Sequence, residues 1–252
     1  MVEGQLYKKF ALYYDKIYKN VDYAGESEFI NWAVNKHKTS SGFEIMDVAC
    51  GTGSHAKILK NSFKVTGVDI NEDMIKIAQD KVPEADFIIG NMKDLNIGKK
   101  FDVIICIFSA IHYNRDLKEL DITLTNFYNH MKDGGILIYD LSFNTENWIE
   151  GLVSLDTVVE DKLKIARMCQ SQLKNGIFNA NFVFLVKDDG KFDFDIDEHE
   201  LGVFKINDVS DLMEKIGFKT FIYADFKERK WESGEGQRPI FVGVKNSKQV
   251  EK

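Results

Sequence analysis

The chain has 252 residues, of which 44% are hydrophobic and 29% charged, and its formal net charge is −7. This length suits one α/β domain with an elaboration. The acidic balance argues against a surface built mainly for nucleic acid, which needs clustered Lys and Arg. The sequence contains no run of about 18 apolar residues, so no membrane span is predicted. Residues 1–10 lack the apolar segment of a signal peptide. Three widely spaced cysteines, Cys50, Cys106 and Cys169, are typical of reduced thiols in a cytoplasmic protein.

Two helices are predicted at the start of the chain. Apolar residues recur at helical spacing over 5–19, and a second helix is predicted at about 26–37. The first helix and the linker after it contain Tyr14, Tyr18 and Tyr23. These side chains either pack on the core or form a lid over a ligand, because tyrosine combines a flat apolar face with a polar tip.

Strands and helices then alternate, which predicts right-handed crossovers and a parallel sheet. The predicted strands are 44–48, 63–69, 86–89, 101–107 and 136–141, and two of the intervening helices are 54–61 and 116–131. Ligands bind at the carboxyl ends of the strands in such sheets. Candidate site residues therefore come directly after each strand.

The pattern changes after the fifth strand. Residues 157–205 alternate apolar and polar side chains and contain two hairpin turns, which predicts an antiparallel meander of at least three strands with one apolar and one wet face. The acidic run at 193–200 is interpreted as the solvated face of that sheet and not as a metal site, and no metal site is predicted. A helix at 208–216, capped by Asn207, and strands at 218–226 and 240–244 complete the chain.

The segment EIMDVACGTG at 44–53 is the centre of the predicted site. An apolar strand leads into a turn containing Gly51 and Gly53, where the backbone could approach a ligand closely. Asp69 ends the next strand, where a carboxylate can bind both hydroxyls of a ribose. Gly51, Gly53 and Ala56 formally satisfy a dinucleotide fingerprint. Asp47 and the absence of Lys or Arg between positions 45 and 55 instead favour a ligand with an ammonium group.

The ordered motifs resemble those of class I S-adenosylmethionine-dependent methyltransferases. They are DVACGTG, VDINEDM, GNMKDL, FDVIICIFSAIHY and MKDGGILIYDLSF. The resemblance implies an α/β fold with a Rossmann-like, seven-stranded, mostly parallel sheet, helices on both faces and an antiparallel last strand. It also implies three parts: an N-terminal helical lid (1–40), a methyltransferase core (41–145 and 206–246) and a small antiparallel β insertion (146–205).

The resemblance further implies how the cofactor, S-adenosyl-L-methionine, would be bound. Its methionyl part is expected near the turn after the first strand, its ribose at the end of the second and its adenine after the second and third. The implied residues are Asp47, Ala49, Gly51 and Gly53 for the methionyl part, Asp69 for the ribose, Ile70, Met74, Asn91 and Met92 for the adenine, and Phe108 below the donor. Asn91 departs from the acidic residue usual in the family.

Within the family, the chain is most similar to the N,N-dimethyltransferases that complete amino sugars such as desosamine and mycaminose. The shared positions are Tyr14-Asp15, 47–55, 72–74, 90–92, 106–109, 130–135 and Arg238. This implies a small-molecule acceptor methylated at an amine. The chain lacks the Trp-Trp pair of that group after the fifth strand, and His112 stands where the group tends to have glycine.

The acceptor side yields two catalytic candidates, Tyr14 and His112. His112 could accept a proton from an ammonium group, or it could be a loop histidine that bonds to the backbone. Arg238 could bind an anionic acceptor group, or it could be a solvated surface residue. The substrate-binding candidates are Tyr18, Tyr23, Ser109 and Arg238.

Three alternatives stay open at this point. The chain could methylate oxygen or another small amine, it could bind the cofactor as a non-catalytic regulatory protein, or it could be a nicotinamide-dependent oxidoreductase. The β insertion is expected to serve as an acceptor lid or as the face of a homodimer.

Overall fold

A computed structural model of the chain describes residues 10–144, 151–234 and 238–246. In chain order the strands are β1 Glu44–Val48, β2 Lys64–Asp69, β3 Asp86–Ile89, β4 Phe101–Cys106, β5 Met131–Asp140, β6 Val153–Val159, β7 Leu163–Lys174, β8 Ile177–Asp188, β9 Lys191–Gly202, β10 Phe218–Ala224 and β11 Pro239–Lys245. Within the described residues, seven strands form one mixed sheet in the order β10-β11-β5-β4-β1-β2-β3, and four form a separate antiparallel sheet in the order β6-β7-β8-β9. The helices are α1 Tyr14–Ile17, α2 Tyr23–His37, α3 Ser54–Leu59, α4 Glu72–Lys81, α5 Leu117–His130 and α6 Ile206–Ile216.

The large sheet confirms the predicted topology. Strands β1 to β5 pair in parallel, whereas β11 runs antiparallel to both β5 and β10. The strand order reverses between β1 and β4, which are neighbours in the sheet. The carboxyl ends of these two strands therefore form the crevice where open α/β sheets bind ligands.

Alternate residues of the central strands pack on opposite faces of this sheet. Ile104 and Cys106 contact the layer that contains α5 and α6, while Val103 and Ile105 contact the layer that contains α2 and α3. Strand β4 is consequently buried at every position, as its continuous apolar sequence predicts. Two covered faces fix the strand ends rigidly, and the site is built on those ends.

The N-terminal segment and α6 differ from their predicted boundaries. Instead of one helix over 5–19, the described part has a 3-10 turn at Ala11–Tyr13 followed by the four-residue α1, and residues 5–9 lie outside the described residues. Helix α6 begins at Ile206 with Lys205 as its N-cap residue, so the predicted cap at Asn207 is wrong. Gly217 ends this helix with φ 115°, as expected for a left-handed C-terminal residue.

The four-stranded sheet confirms the predicted antiparallel meander of at least three strands, but the two faces of its edge strand β9 are reversed from the prediction. Strand β9 alternates as expected, but its apolar residues Phe192, Phe194 and Ile196 are exposed, whereas Asp197 and His199 are buried. The interpretation of the acidic run as a solvated face is therefore wrong for Asp197. Among the described residues, no group of three or more His, Cys, Asp or Glu could hold a metal ion.

Candidate functional site

The turn between β1 and α3 holds three residues in the left-handed region. Ala49, Gly51 and Gly53 have φ values of 58°, 53° and 75°. A Cβ placed on Gly53 would lie 3.1 Å from the Cβ of Ala78 in α4, so Gly53 permits close helix packing. At Gly51 no described atom lies within 4 Å of such a Cβ. The space above Gly51 is thus open to a ligand, and the backbone there is accessible.

Asp69 at the end of β2 fixes this turn. Its Oδ2 accepts a hydrogen bond from the Gly51 N–H at 2.8 Å, and its Oδ1 accepts one from the Asn71 N–H at 2.9 Å. Burial raises the pKa of Asp69, while these backbone donors oppose that rise. Because each carboxylate oxygen has a second acceptor position, both oxygens retain capacity for ligand hydroxyls.

Asp47 is a buried carboxylate next to the same turn. It is only 2% exposed, and no described residue donates a hydrogen bond to its Oδ2. Burial raises the pKa of Asp47 to about 7, an effect that His55 opposes and Asp69 reinforces. A buried carboxylate oxygen without a donor is costly unless a cation completes it. An ammonium group would complement this oxygen.

Asp47 and the turn after β1 lie around one pocket at the carboxyl ends of β1 and β4. It is enclosed by the glycine turn, the segment after β4 and the first residues of α1 and α2. The lining residues are Tyr14, Tyr23, Asp47, Ala49, Cys50, Gly51, Thr52, Ser54, His55, Ile107 and Phe108. The pocket therefore brings together Tyr14, Tyr23, Asp47, Ala49, Gly51 and Phe108 from the predicted set.

The segment after β4 is strained and is held by a buried carboxylate. Phe108 and Ser109 have φ values of 64° and 65°, which costs about 1–3 kcal/mol for each non-glycine residue. The Ser109 N–H donates to both carboxylate oxygens of Asp140, at 2.9 and 3.0 Å, and the Ser142 hydroxyl donates to Oδ2 at 2.8 Å. Asp140 lies at the end of β5 and is fully buried. It therefore fixes the backbone of Ser109 and of the neighbouring Phe108, which lines the pocket.

A buried ion-pair network supports the other side of the pocket. Glu26 of α2 accepts from His55 Nε2 at 2.8 Å and from Arg238 Nη2 at 2.6 Å. Burial raises the pKa of Glu26, but the hydrogen bonds and charges of His55 and Arg238 outweigh this and lower it. Arg238 Nη1 also lies 3.7 Å from Asp140 Oδ2. Arg238 is thus neither a solvated surface residue nor free of internal partners.

The short helix α1 is attached to the glycine turn. Thr52, between the two glycines, donates to Asp15 Oδ1 at 2.5 Å, and Lys81 of α4 lies 2.6 Å from Asp15 Oδ2. Lys81 also donates to Thr52 Oγ1 at 2.9 Å. This places the neighbouring Tyr14 over the pocket. We call Asp15, Thr52 and Lys81 the lid clamp.

The four-stranded sheet reaches the same region through Tyr18. The Tyr18 hydroxyl accepts from Arg167 Nη1 of β7 at 2.5 Å, and its ring lies edge-on to Phe108 with 4.9 Å between centroids. Burial raises the pKa of Tyr18, with Arg167 opposing. Arg167 is itself paired with Asp156 of β6, whose Oδ2 is 2.5 Å from Nη2. The insertion thus packs directly beside this pocket.

Comparison with known proteins agrees with this geometry. Residues 45–135 match the model of the family described as a methyltransferase domain. The chain is 30% identical over 237 residues to the dTDP-3-amino-3,4,6-trideoxy-alpha-D-glucopyranose N,N-dimethyltransferase of Streptomyces venezuelae. The aligned residues cover 92% of this chain and 95% of that protein. The chain belongs to the S-adenosylmethionine-dependent methyltransferases.

Two further relatives extend the comparison. The dTDP-3-amino-3,6-dideoxy-alpha-D-glucopyranose N,N-dimethyltransferase of Streptomyces fradiae is 30% identical over 176 residues, 69% of each chain. The crystal structure of Streptomyces venezuelae DesVI has a TM-score of 0.83 and 28% identity, over 94% of this chain and 98% of that one. The methyltransferase fold and its β insertion are therefore shared over nearly the whole length.

The expected catalytic role of His112 does not fit this methyltransferase site. His112 is fully buried, its Nδ1 lies 2.7 Å from the Gly202 carbonyl oxygen, and its Nε2 accepts from the Phe143 N–H at 3.1 Å. Burial lowers the pKa of His112 to about 4, with Gly202 and Asp140 opposing. Both ring nitrogens are used and the ring is neutral, so this residue joins the insertion to the core and is not a proton acceptor for a ligand.

The predicted adenine-side residues are only partly in place. Ile70 is 50% exposed beside Asp69, and Asn91 and Met92 follow β3 at the same edge of the sheet. The Asn91 Oδ1 accepts from the Lys93 N–H at 3.1 Å, which shapes this turn. Met74 is 1% exposed, so its side chain offers no surface to an adenine and that prediction is wrong.

Sequence reasoning missed residues whose partners are distant in the chain. They are Glu26, Asp140, Arg167, Asp197 and His199. Asp140 was visible in the motif MKDGGILIYDLSF as the last residue of a strand, a position from which a carboxylate reaches the crevice. The other four are identified only by the tertiary contacts that bury them.

Proposed function

We propose that this chain transfers methyl groups from S-adenosylmethionine to the amine nitrogen of a nucleotide-activated amino sugar. The observation that carries the proposal is the similarity to an amino-sugar N,N-dimethyltransferase over 92% of the chain, which includes the insertion beside the donor pocket as well as the glycine turn. The free thiols of Cys50, Cys106 and Cys169 support a cytoplasmic location.

The residues of the pocket fit the proposed cofactor. Asp47 Oδ2 is the acceptor for the methionyl ammonium, and the open space above Gly51 admits the methionyl chain against the backbone of the turn. Asp69 would hold the ribose hydroxyls, and the exposed side chain of Ile70 would cover the adenine. Asn91 and the Met92 backbone would contact the edge of the adenine. When bound, the cofactor supplies a methyl group on a sulfonium, so no covalent catalyst is needed from the protein.

The protein's contribution is to orient the reactants and exclude water. Tyr14 lines the pocket and its ring centroid is 4.6 Å from that of Tyr18, which in turn contacts Phe108. These three rings form an aromatic cover on the acceptor side. Ser109, fixed by Asp140, would contact the acceptor there. Tyr14 remains the candidate that orients the reacting amine, with residues 1–40 acting as the lid.

Tyr23 and Arg238 have more limited roles in this proposal. Burial, with a contribution from the charge of Asp15, raises the pKa of Tyr23 to about 12, so its hydroxyl stays protonated as a hydrogen-bond donor in the pocket. Arg238 is committed to Glu26, and its exposed edge would reach an acceptor only as part of that network. We therefore propose that Arg238 mainly stabilises the pocket wall through Glu26, and that binding an anionic group of the acceptor is a lesser role.

A turnover assay tests the acceptor class. Purified protein is incubated with S-adenosylmethionine and dTDP-3-amino-3,6-dideoxy-α-D-glucopyranose, and the products are analysed by mass spectrometry. We expect one and then two methyl additions, with none on dTDP-glucose, which carries a hydroxyl in place of the amine. Methylation of dTDP-glucose alone would favour oxygen methylation. Binding of S-adenosylhomocysteine without turnover of either sugar would contradict the proposed acceptor.

We also propose that the outer face of the four-stranded sheet joins two copies of the chain. Cross-strand registers place Leu155, Met168, Val183 and Ile196 in one row across all four strands. Each is exposed, and Phe194 beside this row is 73% exposed. A flat apolar patch that spans a whole sheet is larger than the scattered apolar residues normal for a monomer surface, and a second copy presents the same apolar rows in return.

Analytical ultracentrifugation tests this dimer. We expect the wild-type protein to sediment as a dimer and Leu155→Lys as a monomer, because the lysine charge would be buried at the interface. Ile122→Lys on α5 is a matched control, since Ile122 is also an exposed apolar residue but lies outside the sheet. A monomeric wild-type protein would contradict the proposal, as would an unchanged dimer of Leu155→Lys.

A further inference from the structure

A ring of side-chain contacts, closed by the backbone between Phe108 and Tyr113, borders the proposed acceptor side of the site. It leaves the segment after β4, crosses the inner face of the four-stranded sheet and returns to the same segment. Its members in order are Phe108, Tyr18, Arg167, Phe182, His199 and Tyr113. Because Phe108 lines the donor pocket and Tyr113 follows it by five residues, the ring spans from the donor to the insertion.

One part of this ring is a buried chain of polar groups. The Tyr113 hydroxyl lies 2.7 Å from His199 Nδ1, and His199 Nε2 lies 3.1 Å from Asp197 Oδ2. Asp197 and His199 are 2% and 7% exposed, whereas Tyr113 is partly exposed at the end of the 3-10 turn Ala110–Tyr113. The tyrosine is therefore the most exposed member of this chain.

Packing alone does not explain why a carboxylate and an imidazole, those of Asp197 and His199, are buried here. In the sheet, Asp197 lies opposite Phe182 and His199 lies opposite Ala180, so their neighbours on β8 are apolar. Burying a carboxylate and an imidazole among apolar groups costs stability that leucine or phenylalanine would not. Such arrangements are concentrated at functional sites.

The proposed reaction has a proton to remove. An aliphatic ammonium holds its proton near pH 7, as the lysine value of about 10.4 illustrates, and a protonated amine has no lone pair for attack. Each methyl addition to an amine therefore requires the loss of one proton. His112 is excluded by its two internal hydrogen bonds, and the high pKa of Tyr18 makes that phenol no proton acceptor by itself.

We propose that Tyr113, His199 and Asp197 relay this proton from the acceptor amine. The Tyr113 oxygen takes a proton from the ammonium while its own hydroxyl proton passes to His199 Nδ1. Tyr113 ends unchanged, His199 becomes an imidazolium beside the Asp197 carboxylate, and the amine gains its lone pair. The imidazolium releases the proton to solvent after methyl transfer. The relay rests on the proposed amine N-methylation, with Tyr113 touching the acceptor and His199 and Asp197 acting through it.

Other charged and titratable groups face this relay. From β7 they are Arg167, whose guanidinium lies over Phe182, and the Cys169 thiol, whose pKa burial raises. From β6 Asp156 is paired with Arg167, and from α1 Tyr18 is bonded to the same guanidinium. Arg167 is thus balanced by its own partners, and the Asp197 carboxylate lies 3.1 Å from His199 Nε2.

The pH profile of kcat/KM tests the relay with the dTDP-amino-sugar acceptor named above. His199→Asn keeps an acceptor oxygen near the position of Nδ1 but takes up no proton. We expect its kcat/KM to fall about 100-fold near pH 7 and to recover towards the wild-type value near about pH 9.5, where solvent deprotonates more of the amine. Tyr113→Phe should show the same pH-dependent loss. A purely structural role would instead lower the rate by the same factor at every pH.

Two controls separate the possible failures. His37→Gln, at the end of α2 and bonded to Tyr223, should leave the profile unchanged. Calorimetric binding of S-adenosylhomocysteine should be equal in all variants, because the relay lies on the acceptor side. A pH-independent loss or a wild-type profile in His199→Asn would overturn the relay while amine methylation stands. If wild-type protein binds S-adenosylhomocysteine but methylates no amino sugar, the proposed function fails and the relay fails with it.

Discussion

The proposed donor side and the proposed acceptor side of the site are built in different ways. The donor side comes from one continuous stretch, since Asp47 and Asp69 lie on adjacent strands and Gly51 lies in the turn between the first of them and the short helix α3. The acceptor side is assembled over long distances, for Arg167 meets Tyr18 at a separation of 149 residues and His199 meets Tyr113 at 86. A local motif can specify the first, whereas only the packing of the insertion on the core creates the second.

The largest expected effect is confined to the donor side. Asp69→Ala removes the acceptor of the Gly51 and Asn71 N–H groups and the predicted ribose ligand together. We expect the Kd for S-adenosylhomocysteine to rise about 10- to 150-fold, or ~1.5–3 kcal/mol. Isothermal titration calorimetry measures this, with the exposed Asp73→Ala of α4 as control. Equal affinity in Asp69→Ala and wild type would remove Asp69 from the donor side.

A second test uses the pKa of Asp47, which is about 7 in the free protein. A protonated carboxyl cannot pair with an ammonium, so binding below that pH must release a proton. We expect the Kd for S-adenosylhomocysteine to be level above about pH 8 and to rise about tenfold per pH unit below about pH 6. Asp47→Asn should bind weakly at every pH. A wild-type Kd that does not change with pH would separate Asp47 from the ammonium.

The same carboxyl should affect stability with the opposite sign. Its pKa is raised on folding, so the folded state holds the proton more tightly, and stability falls as the pH rises from about 4 to about 7. Asp47→Asn removes this loss. Without ligand we therefore expect the variant to gain melting temperature relative to wild type at about pH 8 and to gain less at about pH 5. An equal difference at both pH values would contradict the raised pKa.

What the sequence predicts follows the same division. The parallel core and the glycine turn are specified locally, because apolar runs, turn residues and strand-end carboxylates lie within a few residues of one another. Asp47 and Gly51 consequently line one pocket, and Asp69 is bonded to the Gly51 N–H beside it. Met74 is the exception on this side. Helical periodicity shows that it faces the protein but not whether it faces a ligand or the core.

The acceptor side shows where such inference fails. Alternation along β9 predicts two faces, but which face is covered depends on what packs against the sheet, and Phe194 proves exposed while Asp197 is buried. His112 and Arg238 have the right chemistry for an acceptor site. Tertiary partners, Gly202 for one and Glu26 for the other, take up those groups. No spacing in the sequence reveals those partners.

Tyr14→Phe tests the aromatic cover between the two sides. Phenylalanine keeps the ring that packs on Tyr18 but removes the hydroxyl from the pocket. We expect kcat for the amino-sugar acceptor to fall about tenfold through lost orientation, with the Kd for S-adenosylhomocysteine changed by less than about twofold. Tyr13→Phe is the control, because its hydroxyl bonds to Asp188 at the surface. An unchanged kcat in Tyr14→Phe would exclude Tyr14 as an orienting group.

The smallest expected effect concerns the lid clamp, which joins the two sides. Asp15→Asn keeps a hydrogen-bond acceptor for Thr52 but loses the charge paired with Lys81. The Asp15 side chain is 43% exposed, so solvent screens the pair and its worth is about 0.5–1 kcal/mol. We expect about a two- to fivefold weaker Kd for S-adenosylhomocysteine, and the difference should vanish at high salt. If the Kd for S-adenosylhomocysteine is unchanged while kcat falls, the lid clamp affects only the acceptor side, through Tyr14. The turn after β1 would then bind the donor without help from the clamp.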